Sequence, residues 1–259
     1  MEILSRAFAE WTISRSAALV ILLAALALLY FFAARIRAGA RYGLRRIAGY
    51  EAIQRMVGQA AEMGQALHMT PGAGGIGGTS TLETLAGLTT LEYLAQQAAL
   101  CDTPLLVNVA DPTTIPAAQG ALRRGYAQAG YPDEYNPNRV RFTAPDPAAY
   151  AAGVMLTLEQ QKLAGNVMIG NFGDEFLLMG ETGTRKRVLQ VSGATNPQVL
   201  PFVYAATDHP LIGEEIFAGG AYLSRHPNHI GSLAAADVIR SAIVIAVVIG
   251  VVLKTLGYL

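Results

Sequence analysis

Charged residues are scarce in this chain of 259 residues, at 15% against roughly 25% in an average soluble domain. Hydrophobic residues make up 52%, so long apolar runs are the first feature to look for. Cysteine is nearly absent as well. The single Cys101 cannot form a disulfide within the chain, which excludes a secreted fold held by disulfides and fits a reducing compartment.

Charge is distributed unevenly, although 19 Lys and Arg balance 19 Asp and Glu. Five arginines and no acidic residue lie between Arg35 and Arg46. From Tyr50 to Asp237 the chain holds 10 basic and 17 acidic residues, a net charge of −7. Because nucleic acid is bound through clustered Lys and Arg, we expect no nucleic-acid partner for this acidic region.

The first long apolar run is residues 16–34, which are 19 consecutive uncharged residues. At about 1.5 Å per residue, a helix of this length nearly crosses a hydrocarbon core of about 30 Å. A cleaved signal peptide is the alternative, since Ala38-Gly39-Ala40 has the form of a cleavage site. The run is longer than the ~7–15 apolar residues of a signal peptide, and arginines separate it from that site, so we favour a retained anchor.

The second apolar run, Ser241–Leu253, has only 13 residues before Lys254. A buried core helix is the alternative here. The stem of Lys254 can lie along a helix while its ammonium reaches the interface, and the run has no polar stripe, so we interpret it as membrane-spanning. The predicted organisation is an N-terminal segment 1–15, a span 16–34, a basic stub 35–49, a domain 50–235 and a second span 236–259.

Arginines also predict the orientation of the first span. Arg6 and Arg15 precede it, whereas five arginines follow it within twelve residues. Positive charge is enriched on the cytoplasmic side of membrane proteins, so we expect a two-pass protein with its main domain in the cytoplasm. Membrane lipid is an expected partner, because the five arginines can attract anionic headgroups at about 1 kcal/mol each.

Small residues recur on one face of the second span. Ala242, Ala246 and Gly250 lie four residues apart, which lets another helix approach closely in lipid. Chance spacing in an alanine-rich chain is the alternative. We expect the bulkier first span to cover this face.

Between the spans, short apolar runs alternate with amphipathic stretches, a pattern typical of an α/β domain with a Rossmann-like, largely parallel sheet. The predicted strands are Ala66–Thr70, Leu105–Val109, Val140–Thr143, Asn166–Gly170, Val188–Ser192 and Val199–Ala205. The predicted helices are Tyr50–Gln65, Ser80–Leu100, Ile115–Ala129, Ala148–Leu163, Asp174–Gly180 and Leu211–Leu223. The predicted helix-capping signals are Ser80–Glu83, Asp111-Pro112, Asp146-Pro147 and Asp208-His209-Pro210.

A glycine turn, Pro71–Gly78, is the strongest candidate site. It contains the pattern G-x-G-x-x-G at Gly72, Gly74 and Gly77, after a predicted strand and before a predicted helix, where backbone N–H groups can cradle a phosphate. A dinucleotide site has an acidic residue about 20 residues after the glycines. Here that residue would be Asp111, which lies 34 residues after Gly77. No Lys or Arg is close in sequence, which excludes a nucleoside-triphosphate P-loop. A turn that only permits close packing or contact with another subunit is the alternative.

Carboxylates form the second candidate group. Asp111, Asp174, Glu175 and Asp208 follow predicted strands, at the edge where open α/β sheets bind ligands, and carboxylates that converge there can hold Mg²⁺. Helix capping explains most of these positions equally well, and no lysine accompanies them. We therefore predict no metal site.

Weaker candidates lie near the end of the domain. A carboxylate–histidine pair of Asp208 and His209 beside Gly213-Glu214-Glu215 could serve as an acid and base, although acidic residues are also favoured in the first turn of any helix. His226 and His229 lack a third metal ligand nearby. Cys101 lacks a nearby histidine, and we interpret it as a packing residue.

Three runs, Pro71–Gly78, Asn166–Gly173 and Ile212–Leu223, resemble those of an uncharacterised family of bacterial membrane-anchored proteins, a domain of unknown function. The resemblance extends from about Tyr50 to the second span. It implies no reaction and no catalytic residue. It also implies that the glycine turn and the Gly213-Glu214-Glu215 helix belong to the shared framework of the domain.

No complete catalytic set accompanies these patterns, so we expect a membrane-anchored, non-enzymatic protein. Its domain would assemble with copies of itself into a scaffold or ring, because two tethers raise the effective concentration of aligned copies. The alternative is a nucleotide- or phosphate-binding protein, with enzymatic activity left open and the cofactor unspecified. Its predicted cofactor-binding residues are Gly72, Gly74, Gly77 and Asp111.

Overall fold

A computed structural model describes residues 2–40 and 42–256, and the side chains of residues 16, 18–40 and 42–256. The chain divides into two compact units. We name Met1–Leu44 together with Arg225–Leu259 the helical unit, and Arg45–Ser224 the α/β unit.

The helices are α1 (Glu2–Arg37), α2 (Ala48–Met63), α3 (Thr81–Leu100), α4 (Thr114–Ala129), α5 (Pro147–Gln160), α6 (Phe176–Arg185), α7 (Leu200–Ala206), α8 (Gly219–Tyr222) and α9 (Pro227–Thr255). The strands are β1 (Ala66–Gly72), β2 (Leu105–Val109), β3 (Val140–Phe142), β4 (Leu163–Asn171), β5 (Leu189–Ala194) and β6 (His209–Ile212). Short 3₁₀ helices cover Pro132–Glu134, Pro137–Arg139 and Gly213–Ala218.

The helical unit contains two segments long and apolar enough to cross a membrane, Ala18–Arg37 and Pro227–Thr255. Their apolar side chains are mostly exposed, as for Ile21 in α1 and Val247 in α9. A core helix of a soluble domain would bury such side chains. The exposure therefore agrees with helices that face a lipid environment.

The backbones of α1 and α9 approach closely at Gly231. A Cβ atom placed there would lie 2.8 Å from backbone atoms of Ala33, so the two backbones meet because Gly231 has no side chain. Among the side chains that the structure describes, nothing lies within 4 Å of a Cβ placed at Gly250. The contact face of Ala242, Ala246 and Gly250 stays a prediction, because the side chains of residues 2–15 of α1 lie outside the described part of the chain.

The α/β unit is built on a six-stranded sheet in the order β3-β2-β1-β4-β5-β6, with every neighbouring pair parallel. The prediction of an α/β fold with a largely parallel sheet is confirmed. The chain order of the strands reverses between β1 and β4. In open parallel sheets, ligands bind at such a reversal, beyond the carboxyl ends of the strands.

The carboxyl ends of β1 and β4 come unusually close together. A Cβ on Gly72 would lie 2.0 Å from the carbonyl oxygen of Asn171, and one on Gly170 would lie 1.9 Å from that of Pro71. The φ angle of Gly72 is +88°, in the region that only glycine adopts readily. Glycine is thus required on both strands for this pairing.

The last third of the domain differs from its prediction. Five of the six predicted strands are confirmed. The sixth, Val199–Ala205, is wrong, because all of it except Val199 lies in α7. The observed β6 overlaps the start of the predicted helix Leu211–Leu223. Asn196 accepts a hydrogen bond from the Gln198 N–H at 3.1 Å, and Pro201 occupies the first turn of α7. Proline at this position favours a helix, whereas the apolar composition of the run had suggested a strand.

Candidate functional site

The glycine turn joins β1 to α3 at the reversal of strand order. Its first half is packed against the end of β4. The Ala73 N–H donates to the Asn171 carbonyl at 2.8 Å, and a Cβ on Gly74 would lie 2.8 Å from the Asn171 Cβ. Gly72 and Gly74 therefore have a packing role, whereas the pattern had suggested that they approach a ligand.

The second half of the turn is open. A Cβ on Gly77 or Gly78 would meet nothing within 4 Å, and the φ angle of Gly77 is +104°. The Gly77 N–H donates to the Thr81 hydroxyl at 2.9 Å. Within residues 42–256, the N–H groups of Gly78 and Thr79 donate no hydrogen bond to the protein. These two donors are available to a ligand.

The start of α3 lacks a side-chain cap. The predicted capping box does not form, because the Ser80 hydroxyl donates to the Gly75 carbonyl at 3.3 Å and Glu83 Oε1 accepts from the Thr195 hydroxyl at 3.0 Å. An uncapped start leaves N–H groups of the first turn unsatisfied, and the helix dipole makes that end electropositive. The site is therefore suited to an anion.

Asp111 lies beside the glycine turn despite its distance in sequence. A Cβ on Gly75 would lie 2.7 Å from its carboxylate. The carboxylate accepts the Thr113 N–H at 2.7 Å and also the Thr113 hydroxyl, whose oxygen accepts the Ile76 N–H at 2.9 Å. The long spacing arises because α3 has 20 residues. The parallel pairing of β1 and β2 then returns the chain to the same edge of the sheet.

The predicted carboxylates separate into two places. Asp111, Asp174 and Glu175 follow β2 and β4 at the carboxyl edge, where Glu175 is buried and accepts the Gly173 N–H at 2.8 Å. Asp208 was predicted at the same edge, and this is wrong. It precedes β6 at the opposite edge and accepts the Gln190 N–H at 2.8 Å. Among the described residues, no group of three or more His, Cys, Asp and Glu could hold a metal ion.

Glu215 of the Gly213-Glu214-Glu215 run forms part of a clamp, which we define as Arg45, Tyr50, Glu215 and Tyr222. Glu215 pairs with the Arg45 guanidinium at 2.5 Å, and the Tyr50 hydroxyl donates to the Glu215 carbonyl at 2.6 Å. Tyr222 stacks on Tyr50 with ring centroids 5.3 Å apart and donates to the Arg45 carbonyl at 2.5 Å. Burial raises the pKa of Tyr50, so its hydroxyl is a fixed donor. These contacts give Glu215 a structural role in holding the clamp together.

A row of polar side chains crosses the buried sheet, and sequence analysis missed it. His68 Nδ1 lies 2.7 Å from Asn166 Oδ1, and His68 Nε2 lies 3.0 Å from Asn108 Oδ1. Beyond them, Asn166 donates to Gln190 Oε1 at 3.1 Å. His68 and Asn166 are fully buried. The sequence did carry a signal for this row. Each of the apolar strands β1, β2, β4 and β5 contains one of these large polar residues.

The side-chain amides of this polar row determine which ring nitrogen of His68 carries a proton. Gln190 Nε2 donates to the carbonyls of Gly180 and Ala206 at 2.9 and 2.8 Å, so Gln190 Oε1 must accept from the Asn166 amide. Asn166 then presents its oxygen to His68 Nδ1, which must carry a proton. Burial lowers the pKa of His68, so the neutral Nδ1–H form is favoured. In this form Nε2 is an acceptor, so the Asn108 amide must turn its N–H towards Nε2, while the Asn108 oxygen accepts from the Thr143 hydroxyl.

Strand order, glycine turn and apolar helices together define a class of protein, an α/β protein with an open, all-parallel six-stranded sheet and two helices apolar enough to span a membrane. Residues 7–259 match the family described as a domain of unknown function, DUF6754, and the chain belongs to this family. The expectation of an uncharacterised family is confirmed, and the match covers nearly the whole chain. No curated protein and no solved structure matches it.

Proposed function

We propose that this chain is a two-pass protein of a bacterial membrane whose α/β unit binds a dinucleotide-like ligand at the glycine turn. The observation that carries the proposal is the open half of the turn, where the N–H groups of Gly78 and Thr79 have no acceptor within residues 42–256, at the uncapped start of α3. It lies at the reversal of strand order. Backbone donors at a helix start are a common way to bind phosphate without a basic side chain.

The surrounding charges narrow the class of ligand. Asp111 follows β2, the position from which an acidic side chain accepts a ribose hydroxyl in dinucleotide sites. Asp174 and Glu175 add negative charge at the same edge of the sheet. A triphosphate would be repelled by these carboxylates unless Mg²⁺ accompanied it. A dinucleotide carries less phosphate charge and offers ribose hydroxyls as donors, so it is the better match.

A thermal-shift screen of the full chain in mild detergent tests this proposal. The panel contains NAD, NADP, ATP with Mg²⁺, and S-adenosylmethionine. We expect a dinucleotide at 100 times its Kd to stabilise the protein by about 2.7 kcal/mol. Gly77→Val should abolish this stabilisation, because the new side chain would fill the open space over the turn.

Gly130→Val is the matched control, because Gly130 also has a left-handed φ angle, +88°, and a Cβ added there would meet nothing within 4 Å. Both glycines have a positive φ angle, so both variants should lose stability through backbone strain. Only Gly77→Val should lose the rise in melting temperature that the ligand causes. If no member of the panel shifts the melting temperature, or if both variants respond as the native chain does, the glycine turn is not the binding site.

The orientation in the membrane forms part of the proposal. Support comes from the five arginines of Arg35–Arg46, against only Arg6 and Arg15 before the first span. Cys101 is an exposed free cysteine of the α/β unit. Its predicted packing role is therefore wrong, and the native chain already carries a reporter. We expect a membrane-impermeant maleimide to label Cys101 only after the cells are permeabilised.

The control is a chain with Cys101→Ser and Ile3→Cys, which should be labelled in intact cells. A third chain, with Cys101→Ser and Asn136→Cys, repeats the test at a second site of the α/β unit. Labelling of Cys101 or of the cysteine at position 136 in intact cells would place the α/β unit outside the cytoplasm.

Self-assembly into a scaffold is the second candidate function. It is favoured by apolar side chains exposed on α6 and α7, where Leu178 is 47% and Tyr204 is 71% exposed. The two helices are neighbours, since the Thr184 hydroxyl donates to the Ala206 carbonyl at 3.1 Å. Exposed apolar surface of this kind often marks a contact between proteins.

Mass photometry of the full chain in mild detergent tests self-assembly. We expect oligomers of the native chain and a shift towards monomers in the double variant Leu178→Lys, Tyr204→Lys, because two charges would have to be buried at the contact. Leu100→Lys is the control, since Leu100 is 53% exposed at the end of α3. Monomers alone in the native chain would argue against the scaffold.

A further inference from the structure

A groove of about 380 Å³ lies on the helical unit. Phe32 of α1 and Tyr42 of the segment after α1 form one side of it. The other side is one face of α9, formed by Ala234, Asp237, Val238, Ser241, Ala242 and Ile245.

The two ends of the groove differ in chemistry. At one end the Tyr42 hydroxyl donates to Asp237 Oδ2 at 2.5 Å, and Arg240 Nη1 lies 3.5 Å from Asp237 Oδ1. At the other end the α9 wall is Ala242 and Ile245. Ile245 lies eight positions after Asp237 along the helix, a distance of ~12 Å. Tyrosines and paired charges are typical of the membrane interface, and aliphatic side chains are typical of the hydrocarbon region.

We infer that this groove binds one acyl chain of a membrane phospholipid, with the headgroup beside Tyr42, Asp237 and Arg240. The inference rests on the membrane anchoring in the proposed function. The change in chemistry along the groove favours a lipid, because the polar end matches a headgroup and the aliphatic end matches an acyl chain. A volume of about 380 Å³ can hold a single flexible chain. A helix from a second copy of the protein is the alternative that the experiment tests.

Photocrosslinking tests the inference. The full chain is placed in nanodiscs of phosphatidylethanolamine and phosphatidylglycerol that contain a trace of phospholipid with a diazirine on its acyl chain. We expect the crosslinks to concentrate on the groove wall formed by residues 234–245. Ala242→Trp should reduce this labelling at least fivefold, because an indole would fill the apolar end.

Val244→Trp is the matched control. Val244 is exposed on α9 and does not line the groove, so labelling of residues 234–245 should persist. Equal melting temperatures of the two variants would show that neither disrupts the helical unit. Equal loss in both variants, or labelling of Val247–Leu253 as strong as that of the groove, would overturn the inference. Crosslinks between two chains at the groove would also overturn it, in favour of a second copy.

The outcomes also separate this inference from the proposed function. If the chain does not enter nanodiscs, membrane anchoring fails and the lipid site fails with it. If the chain enters but the groove is not preferentially labelled, only the lipid site fails. Ligand binding at the glycine turn has its own thermal-shift measurement and is unaffected by either result.

Discussion

Gly72→Ala is expected to lower the free energy of unfolding by more than about 4 kcal/mol, enough to unfold many domains. The new methyl group would lie 2.0 Å from the Asn171 carbonyl oxygen. The atoms that the methyl group would meet belong to the backbone of Asn171, so no flexible side chain can move aside. The two central strands would have to separate at their carboxyl ends. Thermal unfolding followed by circular dichroism, with the full chain in mild detergent, measures the effect.

Gly64→Ala separates this clash from backbone strain. Gly64 ends α2 with a φ angle of +61°, and a Cβ there would meet nothing within 4 Å. Strain alone should cost about 1–2 kcal/mol, which corresponds to a fall in melting temperature of roughly 2–8 °C for a domain of this size. A Gly72→Ala protein as stable as the Gly64→Ala protein would contradict the close approach of β1 and β4.

Acid should destabilise the α/β unit below about pH 6.5, before most carboxylates titrate. Burial lowers the pKa of His68 in the folded protein. The folded state therefore binds fewer protons than the unfolded state once the pH falls below the unfolded pKa. The stability that neutral His68 provides is complete above about pH 6.5 and declines on acidification, by up to about 1.4 kcal/mol per pH unit.

Urea unfolding of the full chain between pH 7.5 and pH 5 measures this slope. His68→Gln should flatten it, because glutamine can hydrogen-bond within the row but does not titrate. The variant should also be less stable at neutral pH, since its shorter reach leaves part of the amide pairing of Asn108 and Asn166 unmade. Equal slopes in the native chain and the His68→Gln variant would exclude His68 as the cause.

Periodicity predicted the strands well where local sequence and burial agree. β1, β2 and β4 are apolar, short and followed by turn residues, and both faces of a parallel sheet are covered, so their pattern reflects burial directly. The strand predicted after β5 is wrong, because local sequence and the observed structure disagree there. Val199–Ala205 is apolar enough for a strand, but the Asn196 turn and Pro201 begin a helix, and tertiary packing decides between the two.

The candidate site was predictable in position but not in detail. A glycine pattern between a strand and a helix indicates a turn at the edge of the sheet, and the turn is there. Sequence could not show that Gly72 and Gly74 face Asn171 while Gly77 faces open space. That distinction depends on β4, which lies about 90 residues later in the chain. The pairing of His68 with Asn108 and Asn166 is equally non-local.

The clamp of Arg45, Tyr50, Glu215 and Tyr222 has a mechanical consequence. Arg45 begins the α/β unit and Tyr222 lies two residues before its last residue, Ser224, yet the Tyr222 hydroxyl contacts the Arg45 carbonyl at 2.5 Å. The two ends of the unit are therefore tied together. A pulling force applied to the chain at these two ends would therefore act on the contacts of the clamp before it reached the parallel strands.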